Sequence, residues 1–518
     1  MSRRTGVLPS RRCRPRACAD EPNRPTGYAD YVTAIATPQE QAANPRRWLI
    51  LGICCMSLLL IGLDATIVNV ALPSIHRSLH ASLAGLQWVV DAYTLVLASL
   101  LMLSGSTADR IGRRKVFLAG LLLFLLGSAL CAVAPSLGVL VGARALQAIG
   151  GSMLNPVALS IVRQVFLDPK ERAQAIGLWG ATMGVSMGLG PVVGGALVDT
   201  VGWRYVFLVN IPIGLLAFLL TVLYVPESRA DHARRIDPIG QLLVLLGLAS
   251  LTYAIIEGQG EGWTSAEIVT LFVVAIASFV GLVRYELRRD EPLLDMRFFR
   301  SAPFSGASLI AVCAFGSFGG FLFLNTLYLQ DARGFSAFHA GLCTLPVAAM
   351  TIVFAPLAGR IIARTGTRLP LLVAGIGLTV SPLLLVSLTS HTSLLLLIVC
   401  YLLFGIGFGF ANPPITSTAI SGMPPAQAGV AAAVASTSRQ TGSTMGIAVA
   451  GAVAGATAAN SFGPGFAQAT HAGWWLLAGL GLVVLIVGTI TTTAWAQGTA
   501  TATAARFKAA AATSSPGS

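Results

Sequence analysis

Apolar residues recur along this chain in blocks of about 20, the length that crosses a hydrocarbon core at 1.5 Å per residue. Such a block can satisfy its backbone in lipid only by forming a helix, so the repetition predicts an all-α, polytopic membrane protein. Composition agrees, with 55% hydrophobic and 11% charged residues over 518 positions and a mean hydropathy of +0.75. Those values exclude a soluble enzyme and a disordered regulator. Fourteen spans are expected, at 48–70, 84–104, 115–134, 137–162, 173–198, 204–224, 239–257, 266–285, 304–328, 338–360, 369–389, 393–416, 427–455 and 472–495. The arginine-rich residues 1–47 and residues 496–518 are expected to be disordered tails.

The net charge of +13 is explained by topology. Placed on alternating loops, all of the 34 Lys and Arg fall on one side except Arg77, Arg204 and Arg333, which lie opposite, and Arg144 and Arg439, which lie inside spans. So one-sided a distribution predicts cytoplasmic N- and C-termini and needs no nucleic-acid partner. Six of the eight cysteines sit in apolar blocks without Cys-x-x-Cys spacing. Cys13 and Cys18 in the tail are weak candidates for a metal, and no metal site or disulfide framework is expected.

Short matches recur at a nearly constant offset. Asn69 pairs with Asn325, Gly105 and Arg110 with Gly359 and Arg364, Asn155 and Pro156 with Asn412 and Pro413, and Ala173 with Ala426. Spans 1–6 therefore repeat as spans 9–14, with spans 7 and 8 inserted between the halves. This divides the chain into six-helix bundles at 48–224 and 304–495 and a two-helix insertion at 225–303. Two parallel repeats with a binding site between them describe a secondary transporter.

Three motifs carry a family resemblance. Gly105-Ser-Thr-Ala-Asp109-Arg110-Ile-Gly112-Arg113-Arg114 resembles the loop signature of the major facilitator superfamily. Leu63-Asp64-Ala-Thr66-Ile-Val-Asn69-Val-Ala71-Leu72-Pro73 on span 1 and Gly202-Trp203-Arg204 through Gly214 on span 6 resemble its fourteen-helix drug:proton antiporter branch. The resemblance implies the major facilitator fold, an inner-membrane location and an inner-side latch made by Gly105, Asp109, Arg110, Gly112, Arg113 and Arg114. The bare alternative is that these arginines only anchor the topology. The second half has Ala363 in place of the acid, so its copy should latch weakly.

Ionisable residues within spans are costly and usually functional. Asp64 lies about 9 Å below the outer end of its span, and Asp91 and Arg144 about 10 Å below theirs. Residues at one depth can exchange a proton against an ion pair, or can form a permanent weld. Arg144 also stands in Leu140-Val-Gly-Ala-Arg144-Ala-Leu-Gln147-Ala148-Ile-Gly150, similar to the superfamily's span-4 motif, which is associated with proton transfer; Ala148 replaces its usual Gly. Gly184, Gly188, Gly190, Pro191, Gly194 and Gly195 on span 5 resemble the antiporter motif, with Ser186 where that pattern has Gly. Without the resemblance they read as close helix packing.

Asn69, Gln147, Asn155, Asn325, Asn412, Arg439 and Gln440 are candidate cavity residues, although polar groups in spans more often bond neighbouring helices. There is no His-Glu-x-x-His and no Walker lysine loop, so neither metalloenzyme chemistry nor ATP-driven transport has its parts. The expected function is proton-coupled export of an amphipathic drug or secondary metabolite by a monomer in contact with lipid and without a cofactor, driven by the proton gradient. An uptake carrier and a non-transporting sensor or enzyme are the alternatives.

Overall fold

A computed structural model describes residues 46–166, 168–229, 237–289, 294–421, 423, 425–458 and 465–514; the tail 1–45 lies outside the described residues. The first half comprises α1 (Arg47–Leu79), α2 (Leu83–Ile111), α3 (Arg113–Ala132), α4 (Leu137–Val165), α5 (Pro169–Thr200) and α6 (Tyr205–Tyr224, interrupted at Val209). The hairpin α7 (Pro238–Glu261) and α8 (Ala266–Glu286) follows. The second half comprises α9 (Ala302–Leu327), α10 (Ala337–Thr365), α11 (Arg368–Leu385), α12 (Leu394–Ile420), α13 (Pro425–Ala458) and α14 (Phe466–Thr491).

The internal repeat is visible in the packing. α1 lies on α5, α2 on α4 and α3 on α4 and α6, and each contact recurs eight helices later as α9 on α13, α10 on α12 and α11 on α12 and α14. The halves meet along two equivalent seams, α5 with α10 and α2 with α13. The inserted hairpin is no free spacer. α7 lies against α2 and α13, with Leu248 packed on Leu95 and Ala98, Gln241 donating to the Ser99 carbonyl and Trp88 Nε1 donating to Glu257 Oε1 at 2.7 Å. α8 lies on α7 and presents Val273, Ile276 and Val280 outward, as a lipid-facing helix would.

Thirteen described helices are long and apolar enough to cross a membrane. The expected span at 427–455 is a helix too, α13, but it is not among them. Its Ala, Gly, Ser and Thr face protein: Gly446 abuts Gly316 of α9, Gly442 abuts Val312, and Gln87 of α2 donates to the carbonyls of Ile447 and Ala448 at 3.2 and 2.8 Å. Small residues permit that approach, and a helix enclosed by others needs little hydropathy.

One expectation fails at the C-terminus. Residues 494–514, read as mostly a disordered tail, form α15 (Ala494–Ser514). The alanine-rich sequence favours helix, and its first turns are tied down, with Thr499 Oγ1 accepting from Ala302 N at 2.9 Å and Phe507 packed 5.3 Å from Phe298.

Candidate functional site

The deepest polar cluster is built by five helices of the first half. Gly127 on α3 permits it: a Cβ there would lie 2.5 Å from Gln147 Cα, so α3 and α4 approach closely and Ser128 meets Gln147. Asp64 of α1 is fully buried and receives Arg144 Nη1 on Oδ2 at 2.5 Å. On Oδ1 it receives Gln147 Nε2 at 2.8 Å and Asn210 Nδ2 at 3.0 Å. Gln147 also donates to Ser128 Oγ at 2.8 Å and accepts from Arg144 at 2.7 Å. Arg144 Nε donates to the Val89 carbonyl of α2 at 3.1 Å, and the guanidinium lies 4.2 Å from the Tyr93 ring centre. Every polar neighbour of Asp64 donates, the complement of an ionised carboxylate.

Asp91 does not share Arg144, although the three residues were expected at one depth. It is buried on the far side of α2, where Thr94 Oγ1 donates to its Oδ1 at 3.3 Å and Oδ2 has no partner among the described residues. Thr444 of α13 donates to Thr94 Oγ1 at 2.8 Å. A run of hydroxyls thus links the α2–α13 seam to a buried acid.

The span-5 glycines serve two neighbours. Gly190 and Gly194, with Ser186, face α1, where added methyl groups would strike Thr66 and Ile67. Gly184, Gly188, Pro191 and Gly195 form a second stripe on α10: a Cβ on Gly188 would lie 2.9 Å from Ala348 Cβ, and one on Gly195 2.6 Å from Phe338 Cα. At the Gly195 end Asp199 accepts from the backbone N–H groups of Ala337 and Phe338 at 3.1 and 2.8 Å, capping α10 across the seam. The stripe continues through Gly180 and Gly177, but there a Cβ would meet nothing within 4 Å. The halves are therefore closed at the end bearing Asp199 and Gln87 and part towards the basic end. Gly184-Val-Ser186-Met-Gly188 has the spacing of a hydrolase nucleophile elbow, which requires a strand-to-helix turn; here Ser186 lies within α5 and donates to the Met183 carbonyl at 2.8 Å.

At the basic end the α2–α3 turn is braced by the first half and by the segment just after α6. Gly112 has φ +128°, a value that favours glycine. Asp109 accepts from Arg113 Nη2 at 2.9 Å, Arg113 Nη1 reaches Gln164 at 3.0 Å, and Arg114 N donates to Glu227 at 3.1 Å while its Nη2 donates to the Val222 carbonyl at 2.5 Å. Arg110 has no ion pair or side-chain bond among the described residues, and Gly105 faces Pro156.

The cavity candidates separate. Gln147 belongs to the Asp64 cluster, Asn325 is buried and accepts from Tyr401 at 2.5 Å, and buried Asn69 bonds the Ala65 carbonyl at 3.1 Å. Asn155, Asn412, Arg439 and Gln440 are partly exposed. Asn210, Ser128, Asp199, Thr94 and Glu227 escaped the sequence reading. Asn210 alone had a visible signal, inside the span-6 motif.

Two helical bundles meeting on two seams, with an ion pair buried inside one of them, have the architecture of a secondary transporter. The chain belongs to the major facilitator superfamily, whose family model matches residues 54–447. It is 39% identical to the multidrug resistance protein Stp of Mycobacterium tuberculosis over 74% of this chain and 71% of that protein. It is 37% identical to the methylenomycin A resistance protein of Streptomyces coelicolor over 72% and 78%, and 34% identical to the tetracenomycin C resistance and export protein of Streptomyces glaucescens over 78% and 75%. A bacterial homolog of the human lysosomal transporter Spinster, solved inward-facing and unoccupied, shares the fold with a TM-score of 0.60 at 18% identity, covering 90% of this chain and 98% of that one. The protein is a multi-pass inner-membrane transporter.

Proposed function

We propose that this protein exports amphipathic drugs or secondary metabolites in exchange for protons, as a monomer with fourteen spans and both termini cytoplasmic, using the proton gradient and no cofactor. One observation carries the reading: a buried carboxylate, Asp64 of α1, is held only by donors from α4 and α6, whose further bonds to Ser128 and the Val89 carbonyl draw in α3 and α2. Protonating Asp64 removes the charge that Arg144 faces and loosens that junction, so proton occupancy biases how the half packs. Asp91 is the second candidate, because closing the α2–α13 seam sets Thr444 on Thr94. With the basic end cytoplasmic, the open space beside Gly177 and Gly180 supports reading this arrangement as inward-open.

Energised everted vesicles carrying the protein should accumulate a lipophilic fluorescent drug and lose it when a protonophore is added. Accumulation in the opposite direction would identify an uptake carrier. The topology makes a separate prediction: periplasmic thiol labelling should reach Gly260→Cys, which stands in open space, and miss Thr107→Cys.

The α2–α3 turn is assigned the gating role. None of its described bonds in this state reaches the second half, so Asp109 is available to that half only when the basic end closes. Asp109→Asn should shift the population of states by about 1–3 kcal/mol and cut transport, whereas Ala363→Ser should do little. Accessibility of cysteines placed beside Asn155 and Asn412 reports the shift, and equal small effects would reduce the turn to an anchor.

A further inference from the structure

The two halves differ in charge where they face each other. From Met296 to the C-terminus the sequence has a single acidic residue, Asp331, in the π turn Tyr328–Ala332, about 24 Å along α9 from Phe315. The same half nevertheless carries an arginine in mid-helix, Arg439 of α13. Its Nη2 donates to Thr416 Oγ1 at 2.5 Å and reaches the Asn412 carbonyl at 3.5 Å. Its Nε is buried without a partner, and it forms no ion pair among the described residues. Neither buried acid of the first half serves it, since Asp64 is held by Arg144 and Asp91 by Thr94.

A guanidinium cannot shed its proton, and a charge left unpaired in a membrane interior is unfavourable. The wall beside it is aromatic. The guanidinium lies 5.8 Å from the Phe315 ring centre, Phe315 lies 5.1 Å from Phe408, and Phe408 stacks on Phe318 at 4.4 Å. Phe318 in turn lines the cavity between the halves, opposite Met187 and Gly188 of α5. A fixed cation beside stacked rings, with no counter-charge, is the complement of a flat aromatic body carrying a carboxylate or an acidic phenol.

We propose that Arg439 is the anion-recognising residue of the central cavity and that the preferred cargo is planar aromatic acids. The proposal rests on the export reading above and narrows its substrate class. The fixed charge of Arg439 repels a lipophilic cation brought to these rings, and the second half has no carboxylate on this wall to offset it.

The test uses the full chain in nanodiscs with two matched probes, 2-naphthoate and 2-naphthylmethylammonium, which share a ring system and differ in charge. Wild type should bind the acid about tenfold or more tighter than the amine. Arg439→Gln should lose that preference through weaker binding of the acid alone, with the amine's affinity serving as the check on folding, and Arg439→Lys should keep part of it. Equal or tighter binding of the amine by wild type, unchanged acid binding in Arg439→Gln, or no binding of either probe would overturn the proposal. Proton-driven transport in everted vesicles is read separately: acid-selective binding without transport defeats the export reading and leaves the anion site standing, and transport with charge-blind binding does the reverse.

Discussion

Asp64→Asn is expected to reduce proton release on substrate addition to background while the protein still inserts and folds. Asn matches Asp in shape and keeps one acceptor for Arg144, so the five-helix junction persists in part. It cannot gain or lose a proton, and the exchange loses its driving step. The companion change Asp64→Ala should also destabilise the bundle, by about 3–5 kcal/mol, because it strands the buried Arg144 without a counter-charge. Proton release measured in proteoliposomes with a pH indicator separates the two effects. Release by Asp64→Asn at the wild-type level would assign the pair to structure alone and transfer the coupling role to Asp91.

The second large effect is steric. Gly195→Val should abolish transport by holding the seam open, because the added Cβ alone would strike the Ala337 carbonyl and lie 2.6 Å from Phe338 Cα. Backbone cannot yield there as a flexible side-chain tip can, and the parted helices would also lose the Asp199 cap on α10. The control is Gly142→Val on α4, where a Cβ meets nothing within 4 Å, which should transport normally. Double electron–electron resonance between labels near Thr200 and Ser336 should show a longer mean distance in Gly195→Val and no change in Gly142→Val. An unchanged distance together with lost transport would place the defect elsewhere.

What could be read from sequence alone follows from the solvent. Lipid demands long apolar blocks, so the helices declare themselves in hydropathy, and the offset of Asn69 from Asn325 and of Asn155 from Asn412 reveals the repeat. Asp64, Arg144 and the span-5 glycines stand out because charge and missing side chains are conspicuous among Leu and Val. Sequence could place Asp64, Asp91 and Arg144 at one depth, but depth is a single coordinate. Which acid meets the arginine depends on how α1, α2 and α4 are rotated and packed, and only the tertiary structure decides that Asp64 does and Asp91 does not. The same holds for Asn210, Ser128, Asp199 and Thr444, ordinary polar residues whose partners lie from 19 to 350 positions away. A local window detects composition and period, which one helix imposes by itself. The pairing of groups on different helices is set by packing of all of them together, so it appears only when the bundle is assembled.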